Sequence, residues 1–194
     1  MGKQSKKLRS FVTIGMLSSI SFILMLLNFP LPWFPAFLQI DFSDVPALLA
    51  TIIMGPVAGI TVELVKNILD WIFSGAPTGI PVGHMANLAT SVLFILPTYY
   101  IYKKLTSTKA LATGLIAGTI AMAVGMSILN YVAFLPMYTY LLGWGSFDMY
   151  ETIVLGILPF NIVKGVLLTV VMLLLYRTMH VWIAKQRKAY MPAA

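Results

Sequence analysis

The stretch DFSDVPALLATIIMGPVAGITVELVKN, residues 41–67, contains two apolar helical segments that meet at Gly55-Pro56. A glycine followed by a proline ends one helix and starts the next, because proline is tolerated in the first turn of a helix and not in its interior. The first segment, 44–55, would be about 17 Å long at roughly 1.5 Å per residue. That is too short to cross a hydrocarbon core of about 30 Å. We therefore expect loop 30–43, which is rich in aromatic residues, to dip into the bundle and cover a cavity.

The composition of the chain is that of an integral membrane protein. Of its 194 residues, 59% are hydrophobic and 10% are charged, whereas soluble domains carry about 25% charged residues. The chain has no cysteine, which excludes disulfides and thiolate metal sites. It also lacks the patterns GxxxxGK[ST], HExxH and GxSxG. We therefore expect a transport or binding subunit, not an enzyme, with no nucleotide-hydrolysis motif of its own.

The apolar segments predict an all-α fold with six transmembrane helices in a single domain, 1–194. The first apolar run is followed by prolines and not by a small-residue cleavage site, so we expect a retained helix and not a signal peptide. The helices are expected at about 8–29, 44–55, 56–73, 83–102, 110–135 and 153–176.

The charges predict the orientation of these helices. Six passes place the basic clusters within 3–9, 103–109 and 177–188 on one side of the membrane. The positive-inside rule makes that side cytoplasmic, so we expect both termini in the cytoplasm and the ligand cavity on the extracellular side.

Three charged residues fall inside the predicted helices: Glu63, Lys66 and Lys164. A charge at the middle of a transmembrane helix costs roughly 2.5–3.5 kcal/mol on insertion scales, so each needs a partner or a function. Glu63 and Lys66 lie three residues apart on one helix face, and we expect them to pair with each other. His84 has no second histidine or carboxylate at metal-ligand spacing, so no metal site is expected.

Lys164 belongs to PFNIVKG, residues 159–165, and has two interpretations. It contacts a ligand, or it forms a contact between helices with Glu63 or Asp44 as its counter-ion. Depth along the helices favours the ligand, because residues counted from the inner ends reach one level in the outer part of the membrane. The residues at or just below that level are Asn87, Met122, Met126, Asn130, Asn161 and Lys164.

The block 41–67, together with GHMANL, SILNY and PFNIVKG, resembles the riboflavin-specific S-components of energy-coupling-factor (ECF) vitamin transporters. The resemblance extends over essentially the whole chain. It implies a multi-pass protein of a bacterial cell membrane that captures riboflavin from outside, with riboflavin as transported ligand and no cofactor. Its partners would be a membrane coupling subunit and two ATPase subunits, with no nucleic acid. An S-component for another vitamin, or a gradient-driven permease with Glu63 as proton carrier, remain the alternatives.

The resemblance also implies particular site residues. Small residues on the first helix, usually alanines in relatives, would dock the coupling subunit, and Gly15 and Ser19 occupy those positions here. The family's pocket residues correspond to Asn130, Asn161 and Lys164, and the loop around 38–43 would cover the ligand. Apolar side chains would form walls for the flat ring system. The expected substrate-binding residues are Asn130, Asn161, Lys164, Leu38, Ile40, Asp41, Phe42, Ser43, Asn87, Met122, Met126 and Tyr131.

Overall fold

The computed structural model describes residues 3–76, 79–143 and 148–190. Parts of two predicted connections, residues 77–78 and 144–147, lie outside the described residues. Strands β1 (Phe29–Pro30) and β2 (Gln39–Ile40) pair antiparallel. The helices are α1 (Lys3–Leu26), α2 (Asp44–Met54), α3 (Pro56–Ser74), α4 (Val82–Leu105), α5 (Thr108–Leu129), α6 (Leu135–Leu142), α7 (Met149–Glu151) and α8 (Leu158–Tyr190).

Two π-helical turns join the shorter helices into continuous spans. Asn130–Phe134 connects α5 to α6, and Thr152–Ile157 connects α7 to α8. Each turn is followed closely by a proline, Pro136 or Pro159, whose ring clashes with the carbonyl group four residues earlier in an α-helix. The wider π register moves that carbonyl away and lets the helix continue. Within the described residues the predicted six helices are therefore present, although the last two extend beyond the predicted limits.

The ends of the first and last helices also differ from the prediction. α1 ends at Leu26 and not at residue 29, because Phe29 and Pro30 pair as a strand. α8 continues to Tyr190, well past the predicted end at 176. Residues 177–190 contain neither glycine nor proline, so nothing local stops the helix where its apolar run ends. Membrane thickness limits the apolar run and not the helix itself.

Helix α2 lies at the centre of the bundle and packs against α1, α3, α4 and α8. It is 11 residues long, and Asp44 through Ile53 are all buried. The predicted turn into α3 is present at Gly55, whose φ of 97° suits glycine and strains other residues. Gly59 allows α3 to approach α2 closely, since a Cβ atom there would lie 1.7 Å from Thr51 Oγ1 and 2.7 Å from the Ala47 carbonyl oxygen.

The outer surface of the bundle is apolar, and its charged side chains point inward. On α3, Ile72 and Phe73 are exposed while Glu63 and Lys66 are buried, which inverts the pattern of a helix in a soluble protein. By length and composition, four described stretches can cross a membrane: Lys7–Leu26, Val82–Leu105, Thr108–Leu141 and Met149–Tyr190. The protein is therefore a multi-pass membrane protein.

Aromatic and basic side chains connect the first and last helices at one end of the bundle. Arg9 on α1 donates to Gln186 Oε1 on α8 at 2.6 Å, and its guanidinium lies 5.1 Å from the centre of the Tyr190 ring. Arg187 lies 5.1 Å from the centre of the Tyr102 ring near the end of α4. The start of α1 and the ends of α4 and α8 therefore share one end, which we call the basic end.

The absence of cysteine from the sequence permits a direct test of which side the basic end faces. We expect the basic end to be cytoplasmic, because its lysines and arginines follow the positive-inside rule. Lys104→Cys and Lys188→Cys should resist a membrane-impermeant thiol reagent in intact cells and react after the membrane is opened. Tyr150→Cys, at the other end and 77% exposed, should react in intact cells. Labelling of Lys104→Cys from outside would contradict this orientation.

Candidate ligand-binding cavity

A cavity of about 330 Å³ lies at the end of the bundle opposite the basic end. Its volume is near the lower limit of the roughly 300–1,000 Å³ typical of small-molecule sites. The wall is formed by the last turn of α1, the segment 37–41, the facing ends of α3 and α4, the end of α5 and the start of α8. The lining residues are Met25, Asn28, Phe37, Leu38, Gln39, Asp41, Asp70, Ala76, Ile80, Gly83, His84, Ala86, Asn87, Thr90, Met126, Asn130, Tyr138, Phe160, Asn161 and Lys164.

Asp44, the first residue of α2, is shared by two lysines next to the cavity. Its Oδ1 atom lies 2.8 Å from Lys66 Nζ, and its Oδ2 atom lies 3.2 Å from Lys164 Nζ. The Ser91 hydroxyl donates to Oδ1 at 2.6 Å. A buried charge is very costly unless it is paired and hydrogen-bonded. These contacts explain how both lysines are accommodated inside an apolar bundle.

Glu63 extends this cluster on α3. Its Oε2 atom lies 2.8 Å from Lys66 Nζ, and both side chains are fully buried. The structural pairing expected from the sequence is therefore present, and Lys66 also links the pair to Asp44. Glu63 does not line the cavity. That position weakens the permease alternative, in which Glu63 would exchange protons with the transport route.

The sequence left open whether Lys164 faces a ligand or pairs with a carboxylate of another helix. In the structure it pairs with carboxylates and also lies at the cavity wall. Its Nζ atom lies 3.2 Å from Asp41 Oδ2 and 3.2 Å from Asp44 Oδ2, so it pairs across helices. Lys164 and Asp41 also line the cavity. The ammonium group is thus a hydrogen-bond donor at the cavity wall whose charge is already balanced by carboxylates.

Two asparagines supply further polar groups to the same wall. Asn130 Nδ2 donates to the Met126 carbonyl at 2.8 Å, and Asn161 Nδ2 donates to the Ile157 carbonyl at 2.8 Å. Among the described residues, neither amide oxygen has a hydrogen-bond partner. Each oxygen can therefore accept a hydrogen bond from a ligand, and each Nδ2 has a second hydrogen to donate.

The segment between β1 and α2 contributes Phe37, Leu38, Gln39 and Asp41 to the cavity wall. The β1–β2 pair brings Phe29 opposite Ile40. The Ser43 backbone N–H donates to Asp41 Oδ1 at 2.9 Å, and the Ser21 hydroxyl of α1 donates to the Ser43 carbonyl. The hydrogen bond from α1 and the ion pair with Lys164 therefore hold this segment in place.

Helices α3 and α4 face each other across a series of polar contacts that leads away from Asp44. After the bond from Ser91 to Asp44, Asn67 Nδ2 lies 3.4 Å from Asn87 Oδ1. One turn further along both helices, His84 Nε2 lies 2.9 Å from Asp70 Oδ2. The spacing follows the helical repeat of about 3.6 residues, which brings one residue per turn to the same face.

The structure brings seven of the twelve residues expected from the sequence to the cavity wall: Leu38, Asp41, Asn87, Met126, Asn130, Asn161 and Lys164. The other five do not line it. Ile40 and Ser43 are buried, and Phe42 packs against the hydrophobic core. Met122 lies one turn deeper than Met126 and is fully buried in the core. Tyr131 follows Asn130 directly in the π-helical turn and therefore points in another direction; it is 59% exposed.

Several lining residues have no counterpart in the sequence-based set, above all the pair Asp70 and His84. His84 has no carboxylate at metal-ligand spacing in the sequence, but in the structure it contacts Asp70, which lies 14 residues away on the preceding helix. The sequence contained a signal that could have predicted the contact between Asp70 and His84. Asp70 is near the end of one predicted helix and His84 near the start of the next, so a short connection makes them neighbours.

Gly15 and Ser19 lie on the outer surface of α1, far along the helix from the cavity-lining Met25. A Cβ atom at Gly15 would have no neighbour within 4 Å among the described residues. Ser19 donates to the Gly15 carbonyl at 3.0 Å, so its hydroxyl is satisfied within the helix. Together they form a flat surface that another helix can approach closely.

The charge cluster predicts a strong effect of removing Lys66. Lys66→Met keeps the length of the side chain and leaves Glu63 without its partner, and breaking a buried ion pair in this way costs about 3–5 kcal/mol. We expect the melting temperature of the purified protein to fall clearly. Adding Glu63→Gln removes a stranded charge and should restore part of the loss. Lys104→Met, an exposed lysine at the basic end, is the control. A Lys66→Met protein as stable as the parent would contradict the structural role of the cluster.

Comparisons with known proteins agree with this architecture. The family model described as "ECF transporter, substrate-specific component" matches residues 9–176. The riboflavin transporter FmnP of Bacillus subtilis (strain 168) is 50% identical over 187 residues, which is 95% of this chain and 98% of that protein. The riboflavin transporter RibU of Staphylococcus aureus (strain TCH60) is 48% identical over 177 residues, 90% of each chain.

A solved structure shares the fold. It is described as "Structure and mechanism of the S component of a bacterial ECF transporter" and superposes with a TM-score of 0.79 at 47% identity, covering 91% of this chain and 98% of that chain. The family match, the sequence identity and the fold are mutually consistent. This chain belongs to the family of substrate-specific components of ECF transporters.

Proposed function

We propose that this protein captures riboflavin and is the substrate-binding subunit of an ATP-driven ECF transporter in the cytoplasmic membrane of a bacterium. The cavity carries the proposal, because its wall combines a charge-balanced lysine, two asparagine amides and apolar side chains. Relatives at 48–50% identity carry the name riboflavin transporter, which supports the choice of ligand.

The chemistry of the wall suits an uncharged ligand with a flat polar ring. Lys164 offers hydrogen-bond donors to ring carbonyl oxygens without adding net charge, because Asp41 and Asp44 balance it. The amide oxygens of Asn130 and Asn161 accept hydrogen bonds from ring N–H groups, which gives the site both donors and acceptors. Riboflavin is uncharged at neutral pH and presents both kinds of group.

Apolar side chains complete the site for the faces of the ring system. Phe37 and Leu38 line the cavity from the covering segment, Met126 from α5 and Phe160 from α8. Aromatic rings and a polarizable thioether pack well against a flat ring, since they adapt to its faces without competing for its polar edge. Five expected residues do not line the cavity and are not assigned a contact with the ligand: Ile40, Phe42, Ser43, Met122 and Tyr131.

The proposed partners are a membrane coupling subunit and two ATPase subunits. The chain has no nucleotide-binding motif, so energy must come from other chains. The small residues Gly15 and Ser19 leave a flat exposed surface on α1, and we assign the coupling subunit to that surface. The segment 30–43 covers the riboflavin site on the extracellular side in this proposal.

Titration of the purified protein with riboflavin, followed by flavin-fluorescence quenching, tests the choice of ligand. Asn130→Leu and Asn161→Leu each remove neutral hydrogen bonds of about 0.5–1.5 kcal/mol, so affinity should fall about 2- to 12-fold. Lys164→Met removes a charged donor, which is worth roughly 1.5–3 kcal/mol, and affinity should fall about 10- to 150-fold.

The ion pairs of Lys164 require a separate measurement of stability. Lys164→Met should also lower the melting temperature, because Asp41 and Asp44 lose a partner, whereas the two asparagine variants should not. Thr113→Leu, an exposed position on α5 remote from the cavity, is the control for both measurements. If the folded fraction of all three site variants binds riboflavin like the parent, this wall does not hold the ligand.

A second experiment tests the docking surface on α1. Gly15→Leu and Ser19→Leu should leave riboflavin binding intact and weaken co-purification of the coupling subunit, because a bulky side chain prevents close helix contact. Thr113→Leu again serves as control, since it adds the same side chain to an exposed position on α5. Normal assembly and riboflavin uptake with both α1 variants would exclude this surface as the docking site.

A further inference from the structure

The last part of α8, residues 177–190, continues the helix beyond its apolar run, and we call it the α8 extension. One face of this segment packs against the bundle. Ile183 is fully buried, and the Arg187 guanidinium lies 5.1 Å from the centre of the Tyr102 ring of α4. The opposite face is exposed, since residues spaced by about 3.6 return to the same side of a helix. The basic residues on that exposed face are Arg177, Lys185 and Lys188.

The α8 extension does not project straight out of the bundle into water. Lys164 of α8 and Ser21 of α1 both contact segment 41–44, so they mark one level of the bundle. From that level Tyr190 lies 26 residues along α8, or about 39 Å of helix, while Thr13 lies only eight residues along α1, or about 12 Å. Yet the hydroxyl oxygens of Tyr190 and Thr13 are 2.8 Å apart. One tyrosine side chain is much shorter than that difference, so the extension runs obliquely across the basic end.

The level at which the α8 extension ends is the edge of the apolar bundle. Thr13 belongs to the stretch Lys7–Leu26, which is long and apolar enough to cross a membrane. Arg9, one turn before Thr13, donates to Gln186 of the extension at 2.6 Å. The extension therefore lies at the boundary between hydrocarbon and water. Trp182 is 43% exposed on it, and tryptophan is enriched at this boundary in membrane proteins.

No acidic side chain balances the positive charge of the basic end. The sequence contains 13 Lys and Arg and six Asp and Glu, and none of the six acidic residues belongs to α1, α4 or α8, the helices that meet there. Arg187 Nη1 is shielded from water and has no hydrogen-bond partner among the described residues. An unpaired buried donor is costly. Both observations indicate that negatively charged acceptors come from outside the chain.

We propose that the α8 extension lies in the membrane interface at the basic end and binds the phosphate groups of anionic phospholipids. Arginine and lysine form charge-assisted hydrogen bonds with phosphate oxygens, and each basic residue close to an anionic membrane surface strengthens binding about fivefold. The contacts of Gln186 and Tyr190 with α1 join this lipid-binding surface to the helix that exposes Gly15 and Ser19. The inference does not depend on which ligand the cavity holds.

Native mass spectrometry of the purified full-length protein tests the charge contacts. The probes are dioctanoyl phosphatidylglycerol, which is anionic, and dioctanoyl phosphatidylcholine, which has the same acyl chains and no net charge. The parent should bind phosphatidylglycerol at least about tenfold more tightly than phosphatidylcholine. Lys185→Gln/Lys188→Gln removes two cations from the exposed face. It should weaken phosphatidylglycerol binding about 10- to 30-fold and leave phosphatidylcholine binding unchanged.

Lys104→Gln/Lys109→Gln is the matched control, because it removes the same charge from exposed positions on α4 and α5. All four lysines are exposed, so both double variants should melt like the parent in the absence of lipid. An equal loss of phosphatidylglycerol binding in both variants would show a general response to net charge and overturn the site. Parent-like phosphatidylglycerol binding by Lys185→Gln/Lys188→Gln would also overturn it. If that variant then co-purified poorly with the other transporter subunits, the exposed face would belong to a protein partner.

Tryptophan fluorescence in phospholipid vesicles tests the position of the α8 extension independently of its charge. The difference in emission between the parent and Trp182→Phe is the signal of Trp182. Phospholipids brominated high on their acyl chains should quench this signal strongly, and iodide present on both sides of the membrane should quench it weakly. Strong quenching by iodide without quenching by the brominated lipid would place the extension in water and overturn the proposal.

Discussion

The carboxylate of Asp44, held between Lys66 and Lys164, is the contact on which the arrangement of the bundle depends. Its two oxygens bind cations from two different helices at 2.8 and 3.2 Å, and Ser91 of a third helix donates to it at 2.6 Å. Inside an apolar bundle no water is available to replace a lost partner. Any sliding of α2 against α3, α4 or α8 by one turn would strand at least one charge. The cluster therefore fixes the relative positions of these helices, whatever its net contribution to stability.

The shape of the cavity follows from this constraint. Because Asp44 starts α2 and must reach both lysines, α2 begins inside the bundle and extends only 11 residues to the Gly55 turn. The preceding segment has to reach the same depth, so it descends along the cavity, where Asp41 pairs with Lys164. Gly59 lets α3 approach α2 closely enough for Lys66 to reach Asp44. The space left above these contacts is the cavity.

The same cluster connects the ligand site to the surface of α1. Asp41 and Lys164 belong to the cavity wall, and Ser43 binds both Asp41 and, through its carbonyl, Ser21. Ser21 lies on the helix that exposes Gly15 and Ser19. A short series of polar contacts therefore links Lys164 at the cavity wall to α1. Asp41 and Asp44 balance the charge of Lys164 at the cavity wall, whereas the wall at Asp70 and His84 presents hydrogen-bond acceptors.

Local features of the sequence determined the class of the protein, the number and order of its helices, the short α2 and the position of the Gly55-Pro56 turn. Each of these depends on composition, length or a turn signal within a few residues. The helix ends were harder to predict: the π turn before Pro136 lets the fifth span continue to Leu142, beyond the predicted end at 135.

Tertiary structure decided which polar residues meet. Lys164 pairs with Asp41, 123 residues away, and His84 pairs with Asp70 across two helices, although neither distance along the chain indicates a contact. It also decided that Met126 lines the cavity while Met122, one turn away on the same helix, belongs to the core. Periodicity gives the face of a helix and approximate depth, but the neighbour at that depth comes from another part of the chain. A buried charge has to find its partner in three dimensions, and the packing of the helices around Asp44 supplies it.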